Sequence, residues 1–126
     1  MFDQIKKQIT PEIIGIRIFM WEELSFYKYT LQLLGNPVSF NFWWCESEKM
    51  LLIEGSSIPT EKSVTTPNCF YTRKGGPRIQ NKSLLYTIQQ LAGIPNKPSV
   101  LLTGKFIPEL KMVAFRFDNL KKESVA

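Results

Sequence analysis

One pattern occurs twice in this chain, and that repetition limits its folds more than any single residue does. S-F-Y-K-Y-T-L-Q-L-L-G-N-P from Ser25 and S-L-L-Y-T-I-Q-Q-L-A-G-I-P from Ser83 agree at Ser25/Ser83, Gln32/Gln90, Leu33/Leu91, Gly35/Gly93 and Pro37/Pro95. The flanks agree too, with Arg17-Ile18 ahead of the first copy, Arg78-Ile79 ahead of the second, and Lys49-Met50 and Lys111-Met112 behind them. Two similar units in one short chain each leave an apolar face for the other to cover. The expectation is one domain over residues 1–126, with repeats at 13–54 and 70–118 and a connector at 55–69.

Each repeat reads as strand, helix, hairpin. Ile14, Ile16 and Ile18 alternate with Gly15 and Arg17, which predicts a strand over 13–19. Leu24, Tyr27, Leu31 and Leu34 recur at spacings of three and four before Gly35-Asn36-Pro37, which predicts a helix over 24–34. Val38 to Cys45 sets Val38, Phe40, Phe42 and Trp44 against Ser39, Asn41, Trp43 and Cys45, then turns at Glu46–Lys49 into a strand over 50–54. In the second copy the same order gives a strand over 69–73, a turn over 74–77, extended Arg78–Gln80, a helix over 83–92 with Leu84, Ile88 and Leu91 inward, and strands over 99–106 and 111–118. A three-stranded sheet under one helix cannot bury both faces alone. The fold class expected is therefore α+β and β-rich, with the two repeats closing a pseudo-twofold barrel or sandwich.

Composition narrows the function classes. The chain has no histidine, which removes the commonest general base and metal ligand, and adjacent Glu22 and Glu23 diverge on a helix rather than pairing across a substrate. No catalytic residue, metal site or cofactor is expected. Cys45 and Cys69 lack C-x-x-C spacing and read as reduced, partly buried thiols rather than a disulfide. No apolar run approaches the roughly 20 residues of a membrane span and the polar start lacks a signal-like core, so a cytoplasmic location is expected.

The net charge of +5 is unevenly spread, with −2 over residues 1–63 and +7 over 64–126. Y-T-R-K-G-G-P-R-I-Q-N-K, residues 71–82, groups Arg73, Lys74, Arg78 and Lys82 around two glycines, with Gln80 and Asn81 as candidate base-edge readers. The alternative is a solvated basic hairpin that discourages edge-to-edge aggregation. Arg17, the counterpart of Arg78, stands among Glu12, Glu22 and Glu23 and reads as poorly suited to phosphate. The aromatic run marks a second candidate surface. Phe40, Phe42 and Trp44 suit a core, whereas Trp43 points away from them and could anchor a subunit or partner contact, with Trp21 and Phe19 extending the patch.

The strand–helix–hairpin order, with G-I-R-I at Gly15–Ile18 and G-P-R-I at Gly76–Ile79, resembles the swapped-hairpin AbrB-type transcription regulators, among which the MraZ proteins carry two units in one chain. The resemblance covers residues 13–54 and 70–118, but Phe19 and Gln80 stand where the family usually has proline. It implies a DNA-binding regulator of transcription that works as an oligomer. The helix ending in L-L-G-N-P before an aromatic strand is also similar to small uncharacterised bacterial proteins. Two functions are expected from these readings: DNA binding through Arg73, Lys74, Arg78 and Lys82, or docking of a homodimer mate or partner protein on Trp43 and Trp21.

Overall fold

The isoleucine alternation produces the expected first strand, β1 (Gly15–Phe19), with Ile16 and Ile18 buried. The computed structural model describes residues 12–67, 70–72, 77–94 and 99–117. After β1 the chain departs from expectation. Met20 and Trp21 take positive φ values of 51° and 56°, and Glu22 N–H donates to the Phe19 carbonyl at 3.0 Å, so the backbone reverses into a second strand, β2 (Glu23–Phe26). Left-handed backbone at non-glycine residues costs about 1–2 kcal/mol each, and burial of the Trp21 ring offsets part of it. Leu24 and Phe26 enter the core by strand alternation, so the predicted helix over 24–34 is reduced to α1 (Lys28–Leu33). Buried Thr30 ties α1 to β1: its Oγ1 accepts from Gly15 N–H at 2.7 Å and lies 3.1 Å from the Gly15 carbonyl.

The two hairpins form as predicted. β3 (Ser39–Cys45) and β4 (Met50–Ser56) meet through a turn in which Lys49 has φ 50° and donates its N–H to the Glu46 carbonyl at 3.3 Å. Within the predicted connector, Val64–Thr65 forms a short strand, β5, paired to β3. Phe70–Thr72 is a turn rather than a strand, and Cys69 and Arg73 lie outside the described residues. Then follow β6 (Arg78–Gln80), α2 (Lys82–Ala92), β7 (Ser99–Ile107) and β8 (Met112–Arg116). Asn81 caps α2, its Oδ1 accepting from Leu84 N–H at 3.0 Å, and left-handed Gly93 ends it. Leu85 and Ile88 make the inward face, while Leu91, expected inward, is exposed.

All eight strands join one antiparallel sheet in the order β5-β3-β4-β8-β7-β1-β2-β6. β7 holds it together by changing partners along its length. Ser99–Thr103 pairs with β1, and Gly104–Ile107 pairs with β8. At the junction a Cβ on Gly104 would overlap the Ala114 carbonyl and stand 2.7 Å from the Phe115 ring, so no larger residue fits the bend. The sheet curls into a half-barrel around a core of Ile16, Ile18, Leu24, Phe40, Ile53 and Phe115. Its end strands, β5 and β6, face one groove of about 400 Å³ lined by Val64, Thr65, Ile79 and Gln80 among others.

The hairpins share one register. A shift of 62 residues carries Phe42 opposite Ile53 onto Gly104 opposite Phe115, Cys45 opposite Met50 onto Ile107 opposite Met112, and left-handed Lys49 onto left-handed Lys111 (φ 52°).

Phe70 and Tyr71 lock the chain after β5 to the core. Phe70 packs edge-on to Phe26 and beside Phe40, and the Tyr71 hydroxyl donates to the Pro37 carbonyl. Burial pushes that hydroxyl up to about 12, against about 10 for free tyrosine. A raised folded-state value favours the neutral form, so this stabilisation is complete below about pH 10 and is lost as pH rises towards 12. Denaturation midpoints measured from pH 8 to 12 should fall across that window, and Tyr71→Phe should remove the part of the slope that this group supplies. No helix among the described residues is long and apolar enough to cross a membrane.

Candidate functional surfaces

Trp43 and Trp21, read together as one surface in the sequence, are set apart in the sheet order: β4, β8 and β7 lie between β3 and β1. Trp43, on β3, is 54% exposed, whereas Trp21, on the β1–β2 turn, is 5% exposed. Trp21 is therefore a core residue and not part of an interaction surface, a correction that follows from the left-handed turn folding its ring inward.

Strand alternation explains what surrounds Trp43. Phe40, Phe42 and Trp44 turn to the core side, so Trp43 stands on the outer face. Register sets Trp43 opposite Leu52, Leu52 opposite Ala114, and Ala114 opposite Lys105, giving one row across four strands. Met112, opposite Glu54 on the same side as Ala114, is buried, as is Ala114 itself. Two ion pairs lie at the hairpin end of β3, β4 and β8: Arg116 Nη2 meets Glu48 at 2.9 Å, and Lys49 Nζ meets Glu46 at 2.6 Å. The Lys49 ammonium and the Trp44 indole N–H, both donating to Glu46, hold its carboxyl below the usual range. Cys45 is a free, half-buried thiol at the edge of this surface, and Cys69 lies outside the described residues.

The basic segment is assembled differently from its sequence. Arg73 and Lys74 lie outside the described residues. Because β2 pairs with β6, Glu23 comes opposite Gln80, and acidic residues of the first half of the chain meet basic residues of the second half. Arg78 Nη1 donates to Glu23 Oε2 at 3.0 Å, Gln80 Nε2 donates to Glu23 Oε1 at 3.1 Å, and Lys82 Nζ stands 3.5 Å from Glu22 Oε1. The separation into an acidic half and a basic half does not survive pairing. The described residues hold nine Lys/Arg against eight Asp/Glu, so most of the chain's +5 lies elsewhere. The Asn81 Oδ1 is occupied as a helix cap, so the amide cannot pair with a base edge through both of its atoms.

Arg17 was passed over in the sequence because of its acidic neighbours, yet Glu23 turns to Arg78 rather than to it. The Arg17 guanidinium carbon is 6.0 Å from the Phe19 ring centre and that of Arg78 is 5.5 Å from the same ring. The arginines of the two G-x-R-I motifs thus share one face. Only the register of β1, β2 and β6 could have revealed that.

These features define the chain as a curled antiparallel sheet with an exposed tryptophan on one part of its outer face and a paired-arginine row on another. No family model, curated protein or solved structure matches the chain.

Proposed function

We propose that the chain is a non-enzymatic protein-interaction module that docks a partner on the outer face of β3, β4 and β8. One observation carries this reading: Trp43 stands more than half exposed on the outer face, opposite the half-buried Leu52. Tryptophan is among the residues most often found as interface anchors, and such residues dominate binding energy when truncated. DNA binding through Arg73, Lys74, Arg78 and Lys82 is less well supported, because Arg78 and Lys82 already meet carboxylates.

Trp43→Ala should leave the melting transition close to that of the native chain, since the side chain lies mostly outside the core. It should weaken association by about 2 kcal/mol or more, roughly thirtyfold, as expected for an interface anchor. Sedimentation and co-purification from native extract measure this. An unchanged oligomeric state together with an unchanged set of bound proteins removes the reading.

The same proposal takes the chain as two copies of one unit. Its support is register: under the 62-residue shift the β4–β8 ladder exchanges its own partners about Leu52 opposite Ala114, with Met50 opposite Arg116 and Glu54 opposite Met112. β5 also stands to β3 as β1 stands to β7, since Ser39 opposite Thr65 becomes Leu101 opposite Arg17. An experimental structure in which the two hairpins fail to superpose at that shift would rule the duplication out.

A further inference from the structure

The paired arginines have no part in docking at Trp43, and their arrangement points to a ligand of its own. Arg17 lies opposite Ser25, and Ser25 lies opposite Arg78, so the three form a row across the outer face of β1, β2 and β6. Leu24 and Phe26 on either side of Ser25 are buried, which turns Ser25 outward. Two strand spacings separate the arginine backbones by about 9.6 Å, and the two guanidinium carbons lie 6.0 and 5.5 Å from the Phe19 ring centre. Two like charges gathered at one ring favour an anion between them. Glu23 answers only one of them. Arg17 has the Tyr27 hydroxyl at 3.4 Å and no carboxylate partner among the described residues.

We propose that Arg17, Ser25 and Arg78 bind a phosphomonoester dianion, with Glu23 as the anion it displaces from Arg78. A carboxylate brings one charge and two oxygens to a guanidinium; a terminal phosphate brings about −1.5 to −2 charges and three acceptor oxygens. A phosphodiester carries one charge and has no such advantage over Glu23. Both guanidinium groups then donate to phosphate oxygens and the Ser25 hydroxyl donates to a third. The charged and titratable groups around the site are Arg17 on β1, Glu22 and Glu23 on the turn and β2, Tyr27 after β2, Arg78 on β6 and Lys82 on α2. β7 offers Leu101 opposite Arg17 and Ser99 opposite Phe19, both uncharged.

The probes are thymidine 5′-monophosphate and a thymidine hexanucleotide with and without a 5′-phosphate, titrated by calorimetry against the full chain. The monophosphate and the 5′-phosphorylated strand should bind, and the strand without it should bind at least tenfold more weakly. Equal affinity of the two phosphorylated probes assigns the site to small phosphate esters, and tighter binding of the strand assigns it to nucleic-acid ends. Affinity should fall about tenfold between pH 7 and pH 5 as the phosphate, with its second pKa near 6, takes up a proton. Arg17→Lys and Arg78→Lys, which keep charge but lose the planar fork, should each weaken binding about tenfold, while Glu23→Gln should strengthen it by a similar factor. Binding of neither phosphorylated probe, equal binding of the unphosphorylated strand, a flat profile between pH 5 and 7, or weakening by Glu23→Gln in a variant that melts normally would each overturn the proposal.

Discussion

Gly104→Ala is expected to cost about 3 kcal/mol or more, among the largest effects any single methyl group could have in this protein. The new Cβ would overlap the Ala114 carbonyl and approach Phe115 Cδ1 to 2.7 Å and Cε1 to 2.8 Å. Those neighbours cannot step aside cheaply. Phe115 is fully buried, and the Ala114 carbonyl belongs to the strand that pairs with β7 on one side and β4 on the other. Relief requires β7 and β8 to part where β7 changes partners, so the damage falls on the join between the two portions of the sheet. Chemical denaturation followed by far-ultraviolet circular dichroism measures the loss. A drop under 1 kcal/mol would mean that β7 does not bend at this residue.

Phe40→Ala is expected to cost about 3–5 kcal/mol. Phe40 is fully buried, stacks on Phe26 at 4.8 Å between ring centres, and lies 6.0 Å from Phe70 and 6.5 Å from Phe42. It touches rings from β2, from its own strand and from the segment after β5, so its removal leaves a cavity that none of the three can fill without moving. Small domains are stable by about 5–15 kcal/mol, so a loss of this size takes a large share. Phe40→Leu should recover a substantial part of it by refilling volume. If Phe40→Ala and Trp43→Ala lose equal stability in urea, the assignment of inner and outer faces on β3 is wrong.

That assignment was legible in the sequence because Phe40, Phe42 and Trp44 recur at every second residue, which puts them on one face of a strand. The first hairpin turn over Glu46–Lys49 and the end of α2 at Gly93 were legible because turn residues act through local backbone geometry. β2 was hidden. Leu24, Tyr27 and Leu31 fit a helical spacing as well as Leu24 and Phe26 fit a strand, and the turn before them uses Met20 and Trp21 instead of glycine or asparagine. The candidate surfaces were less legible still. Charge counted by halves of the chain could not anticipate that β2 would pair with β6 and bring Glu23 to Arg78 across 55 residues. Nor could it anticipate Arg17 and Arg78 sharing a ring. Long-range register decides such neighbours, and a sequence pattern carries no record of it.

The double pairing of β7 has a consequence for how the chain reaches its fold. β1 emerges first, yet one of its two neighbours is Ser99–Thr103, with Gly15 opposite Thr103. β4 likewise waits for β8 to complete its second edge. Contacts this distant in sequence must close long loops before they are rewarded, which slows folding. During synthesis the strands up to β4 therefore display unpaired edges and apolar faces until β7 and β8 have been made, a window in which they are open to self-association or to chaperone capture.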